Sequence, residues 1–83
     1  MLYKVLIKLY VPEIEETYEM YIPINKTIGE ISLLLTKLIN DISKAYPIKN
    51  NARICNRFSG NLYDRDLTIR ETDIRNGSEL ILF

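Results

Sequence analysis

Histidine and tryptophan are absent from this chain, and cysteine occurs once, as Cys55. Each absence excludes a chemistry. Without histidine there is no Ser-His-Asp or Cys-His arrangement, no imidazole proton shuttle and no His-containing zinc site. One cysteine rules out an internal disulfide and a thiolate cluster within one chain, which fits a reducing compartment. Charge of one sign is not in excess either: Lys+Arg and Asp+Glu both total 11, so the formal net charge is zero. A dedicated nucleic-acid binder would carry a basic surplus. No apolar run approaches the ~20 residues of a membrane span. Lys4 and Lys8 interrupt the first apolar run and no small-residue cleavage site follows, so no signal peptide is expected. The expectation is a cytoplasmic protein with no catalytic residue, no cofactor, no metal ligand, no nucleic-acid partner and no direct membrane insertion.

What is present is a globular balance. In 83 residues, 47% are hydrophobic and 27% charged, enough for one modest core in a single domain spanning 1–83. Leu2 to Val11 alternates, with Tyr3, Val5, Ile7, Leu9 and Val11 on one face and Lys4, Leu6, Lys8 and Tyr10 on the other, the period of a strand. Pro12 and the acidic run Glu13 to Glu16 make a turn. A second strand follows with Tyr18, Met20 and Ile22 inward and Thr17, Glu19 and Tyr21 outward, closed by Pro23.

Thr27 and Glu30 match a capping box that opens a helix. Ile28, Ile31, Leu35, Leu38, Ile39, Ile42 and Tyr46 form its apolar stripe, with Leu33 on the opposite side. Pro47 predicts an end near Lys44 to Tyr46. Ala52 to Phe58 reads as a third strand, Ile54 and Phe58 inward, Arg53, Cys55 and Arg57 outward. Ser59-Gly60-Asn61 is a turn, Leu62-Tyr63 a very short strand, and Asp64 to Asp73 a polar stretch anchored by Leu67 and Ile69. A turn at Asp73 to Gly77 precedes the last strand, Ser78 to Phe83. A sheet packing one face on one helix is the α+β solution, with the first and last strands side by side in parallel.

That order of elements resembles ubiquitin. Thr27-Ile28, Ser59-Gly60-Asn61-Leu62 and the Asp73-Ile74…Leu80-Ile81-Leu82 ending sit where ubiquitin-like proteins place such residues. Tyr21-Ile22-Pro23-Ile24 and Asp73-Ile74-Arg75-Asn76-Gly77-Ser78-Glu79-Leu80 narrow the resemblance to the YukD/EsaB family, the small ubiquitin-like proteins of type VII secretion loci in Gram-positive bacteria. The resemblance implies a β-grasp fold, a mixed four- to five-stranded sheet on one helix. It also implies a non-enzymatic, cytoplasmic accessory or regulator of a type VII (WXG100/ESX-type) system that works through protein contacts. Ubiquitin and the sulfur carriers react through a Gly-Gly tail, whereas this sequence ends on a strand at Phe83. A sulfur carrier or modifier that has lost its tail is the alternative expectation.

The expected interaction face is the sheet surface away from the helix: Lys4, Leu6, Lys8, Tyr21, Arg53, Cys55, Arg57, Ile81 and Phe83. It mixes aromatic and aliphatic side chains with arginine, the composition that protein interfaces collect. Scattered exposed apolar residues are also ordinary on a protein surface. A protein partner, met by a monomer or a weak homodimer, would satisfy this face. Cys55, between Arg53 and Arg57, reads either as a thiol activated by positive charge or, more simply, as an inert strand residue with no base nearby. Glu13, Glu15 and Glu16 lack the ligand number and spacing of a calcium loop and read as a solvated hairpin tip. Ser59-Gly60-Asn61 lacks the lysine of a phosphate loop.

Overall fold

The computed structural model describes residues 3–83; Leu2, counted above in the first strand, lies outside the described residues. Strand β1 (Lys4–Val11) and strand β2 (Glu16–Pro23) form an antiparallel hairpin in which Lys4 faces Pro23 and Val11 faces Glu16. Its tip is a 3-10 turn over Pro12–Ile14, with Pro12 in the first helical position and Glu15 closing the turn at φ 52°. Helix α1 covers Ile28–Ile42, strand β3 Ile54–Asn56, a second 3-10 turn Ile69–Glu71, and strand β4 Ser78–Leu82. The sheet order is β2-β1-β4-β3, with β4 parallel to β1 and antiparallel to β3. This is the ubiquitin-like β-grasp, with four strands. The short strand expected at Leu62-Tyr63 reduces to one bridge between Cys55 and Leu62.

The alternation of β1 carries the core. Ile7, Leu9 and Val11 are wholly buried, as are Ile28, Ile31 and Ile39 from the helix and Leu80 and Leu82 from β4. Register between β1 and β4 is held where β4 begins. The Leu6 N–H donates to Asn76 Oδ1 at 2.8 Å, and the Gly77 N–H donates to the Leu6 carbonyl at 2.8 Å. Gly77 sits at φ +89°, a conformation that favours glycine.

Four sequence expectations need correction. The helix ends at Ile42, short of Lys44, because the Ser43 N–H closes on the Ile39 carbonyl with Ser43 itself extended. Tyr46 still reaches the core, fully buried, but from the turn after the helix. Leu38 and Ile42, placed on the buried stripe by their spacing, are 41% and 57% exposed. The helix is rotated so that Ser32 and Thr36 are buried instead, satisfied by the Ile28 carbonyl and by Pro47 and Lys49. Phe58, expected inward, is 76% exposed. Asn56 Oδ1 accepts from the Phe58 and Ser59 N–H groups, an Asx turn that swings the chain off the sheet after β3.

Two matching caps stand side by side. Thr27 and Glu30 form the capping box of α1, and Thr68 and Glu71 form one on the second 3-10 turn. Thr27 and Thr68 are themselves bridged, with the Ile28 N–H on the Leu67 carbonyl and the Ile69 N–H on that of Lys26. The N–H of each threonine donates to its glutamate, which holds both carboxyls below the ordinary carboxylate range.

Thr27→Ala should destabilise the domain by roughly 0.5–2 kcal/mol, and Leu35→Ala, by opening a cavity, by about 2–5 kcal/mol. Urea melts that reverse this ranking would contradict the packing described. The lowered carboxyls also fix a sign. Their stabilisation is present above the unfolded value of 4.5 and is lost as pH falls through the folded values. The Glu30→Gln/Glu71→Gln double variant keeps capping groups that cannot titrate. It should lose less stability than wild type on acidification from about pH 5 to pH 3; parallel curves would refute the role of the two boxes.

Candidate interaction face

Helix α1 and the core lie on one side of the sheet; on the other, Lys4, Lys8, Glu19 and Tyr21 are exposed. Register places the outward residues in rows. Leu6 stands opposite Tyr21. Next, Lys8 lies between Glu19 and Glu79. Then Tyr10 lies between Thr17 and Ile81, with Cys55 beyond Ile81. Phe83 and Arg53 close the far end, each N–H donating to the other's carbonyl at 3.0 and 2.7 Å.

The middle row is electrostatically self-complementary. Lys8 Nζ lies 4.0 Å from Glu19 Oε1, and Arg57 lies 3.7 Å from Glu79 Oε1. The Arg57 guanidinium also sits 5.0 Å from the centre of the Tyr10 ring, a cation–π contact. Exposed pairs of this kind contribute about 0–1 kcal/mol. Their effect is to leave Lys4 at one end and Arg53 at the other as the cations on this face that, among the described residues, have no ion-pair partner.

The nine expected residues therefore share one face but not one patch. Lys4, Leu6 and Tyr21 gather at the end of β1 where the chain enters. Arg53, Cys55, Ile81 and Phe83 gather at the other end, and the charged row holding Lys8 and Arg57 divides them. Tyr21 and Phe83 are 56% and 46% exposed, while Leu6, Arg53 and Ile81 are half-buried. Cys55 is buried. It stands beside its cross-strand neighbours Ile81 and Leu62 and contributes little of its own surface to the face. Burial pushes the Cys55 thiol up from its ordinary value; the flanking arginines do not activate it.

Other candidates take structural roles. Glu13 pairs with Lys49, tying the hairpin tip to the segment after the helix. Asp64 accepts from the Asp66 N–H, and Asp73 accepts the Tyr63 hydroxyl at 2.7 Å. Among the described residues no three cysteine or acidic side chains converge as a metal site, and no helix is long and apolar enough to cross a membrane. The sequence reading did not single out Leu34. It lies 54% exposed one turn before Leu38, and its i, i+4 spacing to Leu38 and Ile42 was the available signal.

No protein-family model matches the chain, and no curated protein matches it by sequence. Solved structures match the fold. A chain of the toluene 4 monooxygenase HD complex superposes with TM-score 0.79 at 13% identity, over 95% of each chain. A chain of the MycP5-free ESX-5 inner membrane complex superposes with TM-score 0.80 at 15% identity, over 96% of this chain and 20% of that one. The ubiquitin of Caldiarchaeum subterraneum gives TM-score 0.66 at 16% identity, over 95% of this chain and 90% of that one. At such identities the likeness is one of fold.

Buried and raised in pKa, Cys55 should react slowly with a disulfide reagent at neutral pH in the native protein and at the rate of a free thiol in denaturant. Fast native labelling would contradict its burial.

Proposed function

We propose that this chain is a non-enzymatic ubiquitin-like interaction module. In this reading it works in the cytoplasm as an accessory or regulator of a type VII secretion system, in the manner of the YukD/EsaB proteins. The observation that carries the interaction role is the uncovered sheet face, with Tyr21 and Phe83 standing in solvent at its two ends. Support for the secretion setting comes from the short motifs around Tyr21 to Ile24 and Asp73 to Leu80. A unit of this fold also occurs in a chain of an ESX-5 inner membrane complex.

The mechanism is docking. Burying an apolar side chain of this size contributes ~1.5–3 kcal/mol. Lys4 and Arg53 orient the face toward acidic groups of the partner, since Lys8 and Arg57 already have acids beside them. A monomer can use the face directly, and a weak homodimer would occupy it and release it.

Cross-linking in the source organism, followed by mass spectrometry, tests the proposal. Wild type should cross-link to cytosolic parts of the secretion apparatus. The Tyr21→Ser/Phe83→Ser variant should lose about tenfold or more of that signal while keeping its circular dichroism. Phe58→Ser, equally apolar but off the face, should cross-link normally. Cross-links that survive the double variant refute the face, and cross-links only to proteins outside any secretion apparatus refute the setting.

A further inference from the structure

Asn76-Gly77 is the one Asn-Gly pair in the chain, and that pair carries its own chemistry. The Gly77 nitrogen, uncrowded by any side chain, can attack the Asn76 amide carbon and close a five-membered imide. Both residues are exposed, so water reaches them freely. What restrains them is geometry. The Ser78 N–H donates to the Arg75 carbonyl at 3.0 Å, with Gly77 at φ +89°. This is a type II turn centred on Asn76 and Gly77.

Three restraints keep the reacting atoms apart. The imide ring closes only when the Gly77 nitrogen eclipses Cβ about the Asn76 Cα–C bond. A type II turn sets that bond at ψ of about +120°, far from the eclipsed position. The Asn76 side-chain amide is tied to β1, its Oδ1 accepting the Leu6 N–H at 2.8 Å. The Gly77 N–H, whose proton must leave before the nitrogen attacks, donates to the Leu6 carbonyl at 2.8 Å. One residue of β1 therefore holds both the electrophile and the nucleophile, and both are freed together when β4 leaves β1.

We propose that Asn76-Gly77 is a spontaneous deamidation site, held unreactive by the β1–β4 contact and opened when the two strands separate. Base takes the Gly77 amide proton, the nitrogen bonds to Asn76 Cγ, and the Cγ–Nδ2 bond breaks with loss of ammonia. Water then opens the imide at either carbonyl. Opening at Cγ leaves an aspartate, whose carboxylate still accepts the Leu6 N–H. Opening at the main-chain carbonyl leaves an isoaspartyl linkage, in which the chain runs through Cβ and Cγ and is longer by one carbon. That carbon displaces the Gly77 N–H from the Leu6 carbonyl, at the point where β4 takes its register. A chain that has spent time with β4 undocked is thus marked, and its isoaspartyl fraction does not return to the native pairing. The site is separate from the outer face and does not depend on the secretion assignment.

Incubation of the protein at mildly alkaline pH, with and without guanidinium chloride, tests this, with deamidation at Asn76 read by peptide mapping and mass spectrometry. The native protein should deamidate at least about tenfold more slowly than the denatured chain. Leu80 is a buried residue of β4, so Leu80→Ala should loosen the strand and speed the native reaction about tenfold or more. Phe58→Ser, at an exposed position outside the sheet, should not. Should Leu80→Ala fail to fold, subdenaturing guanidinium gives the same readout on wild type, whose rate should climb with denaturant below the unfolding midpoint. On refolding, Asn76→Asp should recover the native circular dichroism and urea midpoint, whereas the isoaspartyl fraction should melt at lower urea or stay unfolded. The proposal is overturned by equal rates in the native and denatured chains, by no reaction at Asn76 in either, by a native rate that Leu80→Ala or subdenaturing guanidinium leaves unchanged, or by an isoaspartyl fraction that refolds to wild-type stability.

Discussion

The parallel pairing of β1 with β4 is the constraint on which the rest of this structure depends. These strands are the two central ones of the sheet, and they come from opposite ends of the described chain. Ile7 faces Ser78 and Tyr10 faces Ile81, so pairing them closes a loop of most of the described chain. Parallel strands need a crossover, and α1 supplies it. The Asn76-Gly77 turn bonds both the N–H and the carbonyl of Leu6. It therefore sets the register in which Leu80 and Leu82 enter the core and Glu79 and Ile81 do not. A slip of one residue would exchange the two faces.

Once that register is fixed, the two sides of the sheet take different roles. The inner side is filled mainly by aliphatic residues from β1, α1 and β4, with the Tyr46 ring among them. The outer side carries a charged row that is satisfied within the chain and two apolar ends that are not. The helix covers the inner side unevenly. Thr36 and Asn40 bond the segment that follows it, while Leu34, Leu38 and Ile42 stay exposed. Both uncovered surfaces follow from covering a four-stranded sheet with one helix of 15 residues.

Much of the fold was legible because strand alternation and capping are local. Val5 to Val11, Thr27 with Glu30, and Asn76-Gly77 each declare their conformation within a few residues. What the sequence did not show depended on tertiary geometry. The rotation of the helix could not be read from its stripe, because Ser32 and Thr36 look polar until Ile28, Pro47 and Lys49 are seen to satisfy them. Phe58 looked like a strand residue because the Asx turn at Asn56 is a matter of side-chain direction. For the proposed face, alternation placed the nine residues on one side of the sheet. It did not show that Cys55 is buried, or that Lys8 and Arg57 already have partners.

The central claim is that this domain functions by presenting an uncovered sheet face to a protein partner. Methyl-resolved NMR of the protein, free and bound to the partner captured in cells, tests it most directly. The account predicts that the Leu6 and Ile81 methyl signals shift and broaden on binding, while those of Ile7, Ile31 and Leu80 in the core hold their positions. A complex in which Leu6 and Ile81 stay unmoved while the Ile48 methyls respond would contradict it.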